Sequence, residues 1–250
     1  MKVLVTGSAG SVGRPVCREL ARRGHEVRGL DRVPTPDVPD AIVGDIADPE
    51  PVHAAMRGVQ AVVHLAAEPN DTEFSRLVGP NVVGLYNVMN AAREERVRRA
   101  VLASSVQVHW NRPPGSLPAR VDEASPGNHY ALTKLWAEDL GAMYARRFEM
   151  SVIAVRLSWL VRNPDEARRF VAIDRRELFF SHRDAGRFFA LAVETPGIDY
   201  AVVYASSIDG AKAYDLEPAR RLLGYEPEDR WPDGLDFELP PELRRPPDAP

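Results

Sequence analysis

The chain has 250 residues, 44% of them hydrophobic and 27% charged, with 36 acidic against 32 basic side chains and a formal net charge of −4. This is ordinary globular composition, with room for one large α/β domain or a domain and a small lobe. No basic block exceeds the pairs Arg22-Arg23 and Arg175-Arg176, so nucleic acid is excluded as an expected partner.

Cys17 is the single cysteine, which rules out an intrachain disulfide and a cysteine-based metal cluster and suits a reducing compartment. The opening MKVLVTG is too short to be the apolar region of a signal peptide. No run approaches the roughly 18 apolar residues of a transmembrane helix. The expectation is a cytoplasmic protein without a membrane partner.

In chain order, short β-branched runs alternate with segments of helical period. KVLVT (2–6) is a strand, a helix covers about 11–23, and EVRGL (26–30) and AIVGD (41–45) are the next strands. A helix near 50–57 leads to the strand QAVVHLA (60–66), and a long helix over 72–96 precedes the strand RAVLASS (99–105). A second long helix, over 130–147, precedes the strand SVIAVRL (151–157). Continuous apolar strands alternating with helices imply a parallel sheet covered on both faces, the doubly wound α/β class of the Rossmann type.

After Arg162 the pattern loosens: helices at 164–171 and 183–194, a strand AVVYAS (201–206), and a short helix at 215–223 stopped by Gly224. Ser181 and Asp184 read as a capping box for the second of these helices. Proline-rich loops fall at 33–39 and 111–128, the latter long enough to be functional, and the tail from Pro227 reads as irregular surface chain. The expected division is a dinucleotide-binding core over 1–160 and a mixed segment over 161–250 that adds a small substrate lobe and the tail.

The turn VTGSAGSVG places Gly7, Gly10 and Gly13, with Ser11 and Val12 between them, where the first strand enters the first helix. Glycine there permits a tight turn and a close approach of backbone to a pyrophosphate, whose charge sits on the free N–H groups of the helix N-terminus. Asp31 ends the second strand eighteen residues after Gly13, placed to bond a ribose 2′-hydroxyl and to repel a 2′-phosphate. NAD is therefore expected over NADP, with Arg32 beside Asp31 partly offsetting the repulsion. Asp45 and Ile46, after the third strand, are expected at the adenine edge. Leu65, Ala66 and Ala67, after the fourth, are expected along the cofactor's ribose.

HYALTK (129–134) sets Tyr130 and Lys134 four residues apart at the start of a helix, so both side chains share one face. The spacing alone is equally that of a plain helix surface. His64, His109, His129 and His182 are scattered and show no metal-ligand spacing on one helix.

With these pieces in place, the chain resembles the extended short-chain dehydrogenase/reductase family, the NAD-dependent epimerase/dehydratase group. The likeness rests on TGSAGSVG (6–13), LDR (30–32), GDIAD (44–48), HLAA (64–67), NVVGLYN (81–87), LASS (102–105), YALTK (130–134), VRLS (155–158) and LLGYEP (222–227), in the family's order and spacing. The resemblance implies that Ser105, Tyr130 and Lys134 surround the nicotinamide. A phenol with an ordinary pKa near 10 is a poor base at neutral pH, but a neighbouring lysine cation and the cofactor's positive ring favour the phenolate. Tyr130 would then take a proton from a substrate hydroxyl, Lys134 would also hold the nicotinamide ribose, and Ser105 would bond the reacting oxygen. Ser104 reads as a buried, backbone-bonding serine. Asn81 either supports the site or is a core asparagine. The resemblance also implies a homodimer packed through the helices at 72–96 and 130–147.

Within the family, SSVQVHW, ALTKLWAEDLGAMYARRF and FFSHRDAGRFF look most like the uronate dehydrogenase subgroup, which oxidises the anomeric carbon of free hexuronic acids. The chain departs from it at substrate positions. Val106 and Gln107 stand where that subgroup has asparagine and histidine, and Pro69 and Trp159 stand where it has serines. Its carboxylate-binding arginine has no secure counterpart, although Arg168, Arg169, Arg175 and Arg176 lie in the region. A less polar pocket is expected, with glucuronate and galacturonate as poor substrates. The expected substrate is a small sugar or sugar-acid-like hydroxyl compound. The alternatives are a nucleotide-sugar epimerase or dehydratase, which would need a larger C-terminal lobe, and a dinucleotide-sensing regulator, which would usually have lost the tyrosine or lysine.

Overall fold

The computed structural model describes residues 1–111 and 118–243. Part of the loop at 111–128 and the end of the tail therefore lie outside the described residues. Seven strands form one parallel sheet: β1 (Lys2–Thr6), β2 (Glu26–Asp31), β3 (Asp40–Val43), β4 (Ala61–His64), β5 (Arg99–Ser105), β6 (Ser151–Leu157) and, after a two-stranded pair treated below, β9 (Tyr200–Ala205). Their order across the sheet is β3-β2-β1-β4-β5-β6-β9. The order reverses between β1 and β4, and a ligand crevice is expected outside the carboxyl ends of those two strands.

Alternation along each strand feeds two cores. Val3, Val5, Val63, Val101 and Ile153 face α1 (Gly13–Arg22) and α7 (His182–Glu194), meeting Val16, Leu20, Phe188 and Phe189. Leu4, Val62, Leu102 and Val152 face the opposite way, onto α2 (Pro49–Met56), α4 (Leu85–Glu94) and α5 (His129–Phe148), meeting Val52, Met56, Val88, Met89 and Tyr144. Each such aliphatic side chain is fully buried, a gain of roughly 1.5–3 kcal/mol apiece. Polar side chains cap the starts of α2, α5, α6 (Pro164–Ile173) and α7. Asp48 accepts from Glu50 N at 3.0 Å ahead of Pro49, and Gly224 takes φ 64° to end α8 (Glu217–Leu223).

The long helix expected over 72–96 is three pieces: α3 (Phe74–Leu77), a π-helical turn over Val78–Gly84, and α4. Pro80 inside the turn has no N–H to give the i→i−4 ladder, which is where a wider turn is tolerated. A Cβ on Gly84 would lie 2.5 Å from the Ile46 side chain, so the turn also lets the helix sit tightly on the loop after β3.

The segment after 160 does more than cap the core. It contributes the edge strand β9 and the helix α7, which packs along α1. A short parallel pair, β7 (Trp159–Leu160) with β8 (Phe179–Phe180), escapes periodicity because two residues cannot show one. With α6 (Pro164–Ile173) and the tail, this pair builds a separate apolar cluster of Val161, Ala167, Phe170, Phe179, Trp231 and Leu239. The tail is irregular as expected but does not merely lie on the surface. Its Asp229 is fully buried and accepts from Ser181 Oγ at 2.5 Å. Ser181 caps α7 at Asp184 N (2.9 Å), and Ser207 Oγ relays from Ser181 N (3.0 Å) to Asp184 Oδ2 (2.7 Å). No described helix is long and apolar enough to cross a membrane.

Candidate active site

The carboxyl ends of the central strands open on a cavity of about 390 Å³. Beside it, where Val12 joins the lining, the glycine turn is set by steric necessity. Gly7 has φ 72°, and a Cβ there would lie 2.7 Å from Ala66 N; a Cβ on Gly13 would lie 2.0 Å from the Gly7 carbonyl oxygen. A Cβ on Gly10 would meet only that same oxygen, at 3.1 Å, so this side of the turn is open. An open glycine face at the start of α1, with Val12 lining the cavity, suits a pyrophosphate laid against the helix N-terminus.

Ser105 ends β5, and Tyr130 and Lys134 occupy the first turns of α5; all three line the cavity and all three are at most 7% exposed. Asn128 makes that start possible. Its Oδ1 accepts from Ala131 N at 2.7 Å while its Nδ2 donates to Gln107 Oε1 at 3.0 Å, tying α5 to the turn after Ser105. Burial pushes the Tyr130 phenol up to about 12, opposed by a hydrogen bond between the Ser105 and Tyr130 hydroxyls and by the Arg162 charge. Burial also brings the Lys134 ammonium down to about 8. Lys134 Nζ lies 5.6 Å from the Tyr130 ring centroid and donates to the Ala103 carbonyl at 3.1 Å. The tyrosine is thus protonated at neutral pH, with Lys134 and Arg162 as the cations beside it.

The other residues singled out from sequence divide. Val12, Leu65, Ala67, Pro69, Val106, Gln107 and Trp159 line the same cavity. Asp31 stands at the end of β2, its Oδ2 accepting from Ala9 N at 3.0 Å, so the carboxylate is fixed against the glycine turn; Arg32 is exposed. Asp45 Oδ1 accepts from Ala47 N at 2.9 Å, Ile46 is buried beneath Gly84, and Ala66 N is bonded to Thr6 Oγ1 at 3.3 Å. Asn81 stands outside the cavity. From the π-helical turn it accepts from Glu68 N (2.7 Å) and donates to the Glu68 carbonyl (3.1 Å) and to Thr133 Oγ1 (3.1 Å), whose hydroxyl donates to the Tyr130 carbonyl at 2.7 Å. It braces the loop after β4 against α5.

Ser104 differs from expectation: its hydroxyl donates to the Glu138 side chain at 2.5 Å rather than to backbone. Glu138 in turn holds Arg156 through two contacts of 2.9 Å, and Arg156 donates to Tyr204 Oη at 3.0 Å. Tyr204 Oη lies 3.0 Å from His109 Nδ1, so this buried chain runs from β5 to the turn after Ser105.

The cavity residues that escaped the sequence reading include Asn70, Trp110, Arg162 and Glu166. Asn163-Pro164-Asp165-Glu166 is a legible helix start, with Asn163 accepting from Glu166 N at 2.9 Å, and it could have pointed to Glu166. Trp110 and Asn70 carry no local signal.

A sequence model described as the NAD dependent epimerase/dehydratase family matches residues 3–172. Among relatives, the uronate dehydrogenase of Pseudomonas putida is 28% identical over 91% of this chain and 84% of its own length. The NAD-dependent glucose-6-phosphate dehydrogenase of Haloferax volcanii is 31% identical over 91% of this chain and 93% of its own. Among solved structures, a mutant uronate dehydrogenase from Agrobacterium tumefaciens complexed with NAD superposes with a TM-score of 0.78 at 28% identity, over 91% of this chain and 84% of that one.

Proposed function

The chain belongs to the NAD-dependent epimerase/dehydratase family, and from that premise we propose that it oxidises a hydroxyl of a small sugar or sugar-acid-like compound, with Tyr130 as general base. It is an enzyme of the NAD-dependent dehydrogenase or epimerase kind, and NAD is its cofactor. The observation that carries the reading is the meeting of Ser105, Tyr130 and Lys134 in one cavity beside the glycine turn. A cavity of about 390 Å³ is near the small end of ligand pockets and suits a monosaccharide-sized compound rather than a nucleotide sugar.

The open face of Gly10, the N-terminus of α1 and the Asp31 carboxylate would hold the dinucleotide, with Lys134 toward its nicotinamide ribose. When bound, NAD supplies the acceptor for the hydride that leaves the substrate carbon. Ser105 Oγ holds the substrate oxygen by a hydrogen bond. Tyr130 Oη takes that oxygen's proton, and the Lys134 charge stabilises the phenolate that makes the transfer possible. Burial keeps the phenol protonated in the chain without cofactor, so the phenolate depends on the positive charge that Lys134 and, when bound, the cofactor's ring would supply.

The division of labour follows: residues 1–160 bind the cofactor, and 161–250 shape the substrate side through Arg162, Glu166 and Arg169. The protein acts as a homodimer. Tyr86 and Leu132, each 51% exposed, and Val83 extend an apolar stripe that continues on α5 through the partly buried Trp136, Leu140 and Met143.

The test is a panel of sugars, sugar acids and simple alcohols followed by NADH absorbance, with Tyr130→Phe as the control. The variant keeps the ring, and with it the fold and cofactor binding, but turnover falls about 10²–10⁴-fold. A variant that keeps more than about a tenth of the rate removes Tyr130 from the proton transfer.

A further inference from the structure

The Ser105 hydroxyl is bonded on both sides. Its Oγ accepts from Gln107 N at 3.2 Å, which starts the short turn Val106–His109 and leaves the serine its own proton for a second partner. In the chain without substrate that partner is the Tyr130 hydroxyl. The place of the turn therefore decides where the serine proton points.

Two residues outside the cavity lining, Asn128 and Tyr204, hold that turn. At Gln107, the side-chain Oε1 accepts from Asn128 Nδ2 at 3.0 Å, and the same Asn128 caps α5 through its Oδ1, 2.7 Å from Ala131 N. The Gln107 oxygen is thus engaged by the start of the helix that bears Tyr130. At His109, Nδ1 lies 3.0 Å from Tyr204 Oη, and the ring packs edge-on against Tyr204 and Tyr214, which stack on each other. The phenol oxygen is itself fixed. Arg156 Nη1 donates to it at 3.0 Å, and Arg156 is gripped by Glu138 on α5. His109, Arg156 and Tyr204 are all buried, where hydrogen bonds are stronger than in water. Both routes end on α5, so the helix that places Tyr130 and Lys134 also places Ser105.

We propose that Asn128 and Tyr204 are positioning residues: by clamping the turn Val106–His109 from its two ends, they hold Ser105 Oγ as a donor aimed at the oxygen that reacts at Tyr130. The proposal rests on the oxidoreductase reading for that oxygen, but not for the clamp. Neither residue need touch the substrate, since a misplacement of about 1 Å caused far from the chemistry can cost about 10²-fold.

The experiment is a double-mutant cycle. Asn128→Ser keeps a capping hydroxyl for α5 but is too short to reach Gln107, and Tyr204→Phe keeps the stacked ring but removes Oη. Each is made alone and with Ser105→Ala. The probes are glucose, glucuronate and glycerol, with kinetics on whichever the wild-type enzyme oxidises fastest with NAD⁺. Ser105→Ala should lower kcat about 10²-fold, and a variant that keeps most of the rate removes the serine from the reacting oxygen and overturns the proposal. Asn128→Ser and Tyr204→Phe should each lower kcat about tenfold, with KM and NAD⁺ affinity within about twofold of wild type. In the Ser105→Ala background they should change kcat less than about twofold, because a residue acting through the serine has nothing left to act through. Equal losses in both backgrounds, or a wild-type kcat in the single variants, overturn the clamp and leave the oxidation reading standing. Asn128→Ser leaves the Arg156 chain intact, so it remains informative if Tyr204→Phe does not fold. A second measurement needs no turnover: in NAD⁺-loaded protein without substrate, hydrogen exchange at the Gln107 amide should be at least about tenfold faster in either variant. If none of the probes reduces NAD⁺ while that exchange rises, the clamp stands and the oxidation of such compounds falls. Unchanged exchange overturns the clamp in either case.

Discussion

Lys134 is a lysine whose proton is held weakly by the folded chain. Burial brings it to about 8 in the native state, against 10.5 for the ordinary side chain. Between those values the unfolded chain binds more protons than the folded one, so the lysine's contribution to stability rises with pH across this window and is smallest below about 8. Relative to Lys134→Met, the wild-type protein without cofactor should therefore gain stability between pH 7 and pH 10, by up to about 1.4 kcal/mol per pH unit. Urea unfolding at both pH values checks this, and a flat difference would mean that the lysine is solvated. At the other end of the site, Asp31 is fixed by Ala9 N, and its charge should make NAD⁺ bind at least about tenfold more tightly than NADP⁺. Asp31→Asn should narrow the gap in a fluorescence titration, and a wild-type preference for NADP⁺ would hand control to Arg32.

Among the elements, α5 bears Tyr130 and Lys134, proposed as the catalytic pair, and one turn further on Glu138, which pairs with Arg156 on β6. The Glu138 and Arg156 side chains are 5% and 2% exposed, and their bonds continue to Ser104 on one side and Tyr204 on the other. Removing one partner leaves a buried charge uncompensated. Glu138→Ala should cost about 3–5 kcal/mol in denaturant unfolding, and a loss below about 1 kcal/mol would show that water reaches Arg156. The π-helical turn plays a comparable part opposite α5, because it carries the Asn81 amide to Glu68 and Thr133 together. Neither link could be read from spacing, since the residues they join lie between 13 and 52 positions apart, beyond any helix or strand period.

At the scale of the whole molecule, the exposed Val83, Tyr86 and Leu132 mark an apolar stripe on the π-helical turn, α4 and α5. Closed two-fold association of that stripe is the proposed use for it. Sedimentation should give about twice the 27.7 kDa chain mass, and Leu132→Asp, at a position 51% exposed, should shift the species toward the monomer without unfolding it. An unchanged dimer in that variant would place the interface elsewhere.

Local physics made much of this legible in one dimension. Strand periodicity, the glycine turn, and the i, i+4 pair of Tyr130 and Lys134 are each set within a few residues, and strands β1, β5 and β6 fall on the boundaries that the apolar runs mark. The doubly wound class followed from the alternation of those runs with helices. What only the tertiary structure decided are contacts without a sequence period. The tail's Trp231 and Leu239 complete an apolar cluster with Phe170, and Pro80 widens a helix so that Asn81 faces inward. Arg162, set by Glu166 and Asn70, meets Tyr130 in one cavity although ninety-two positions separate it from Asn70. Periodicity reports which face of an element is buried, whereas the partner on that face is chosen by how the layers pack.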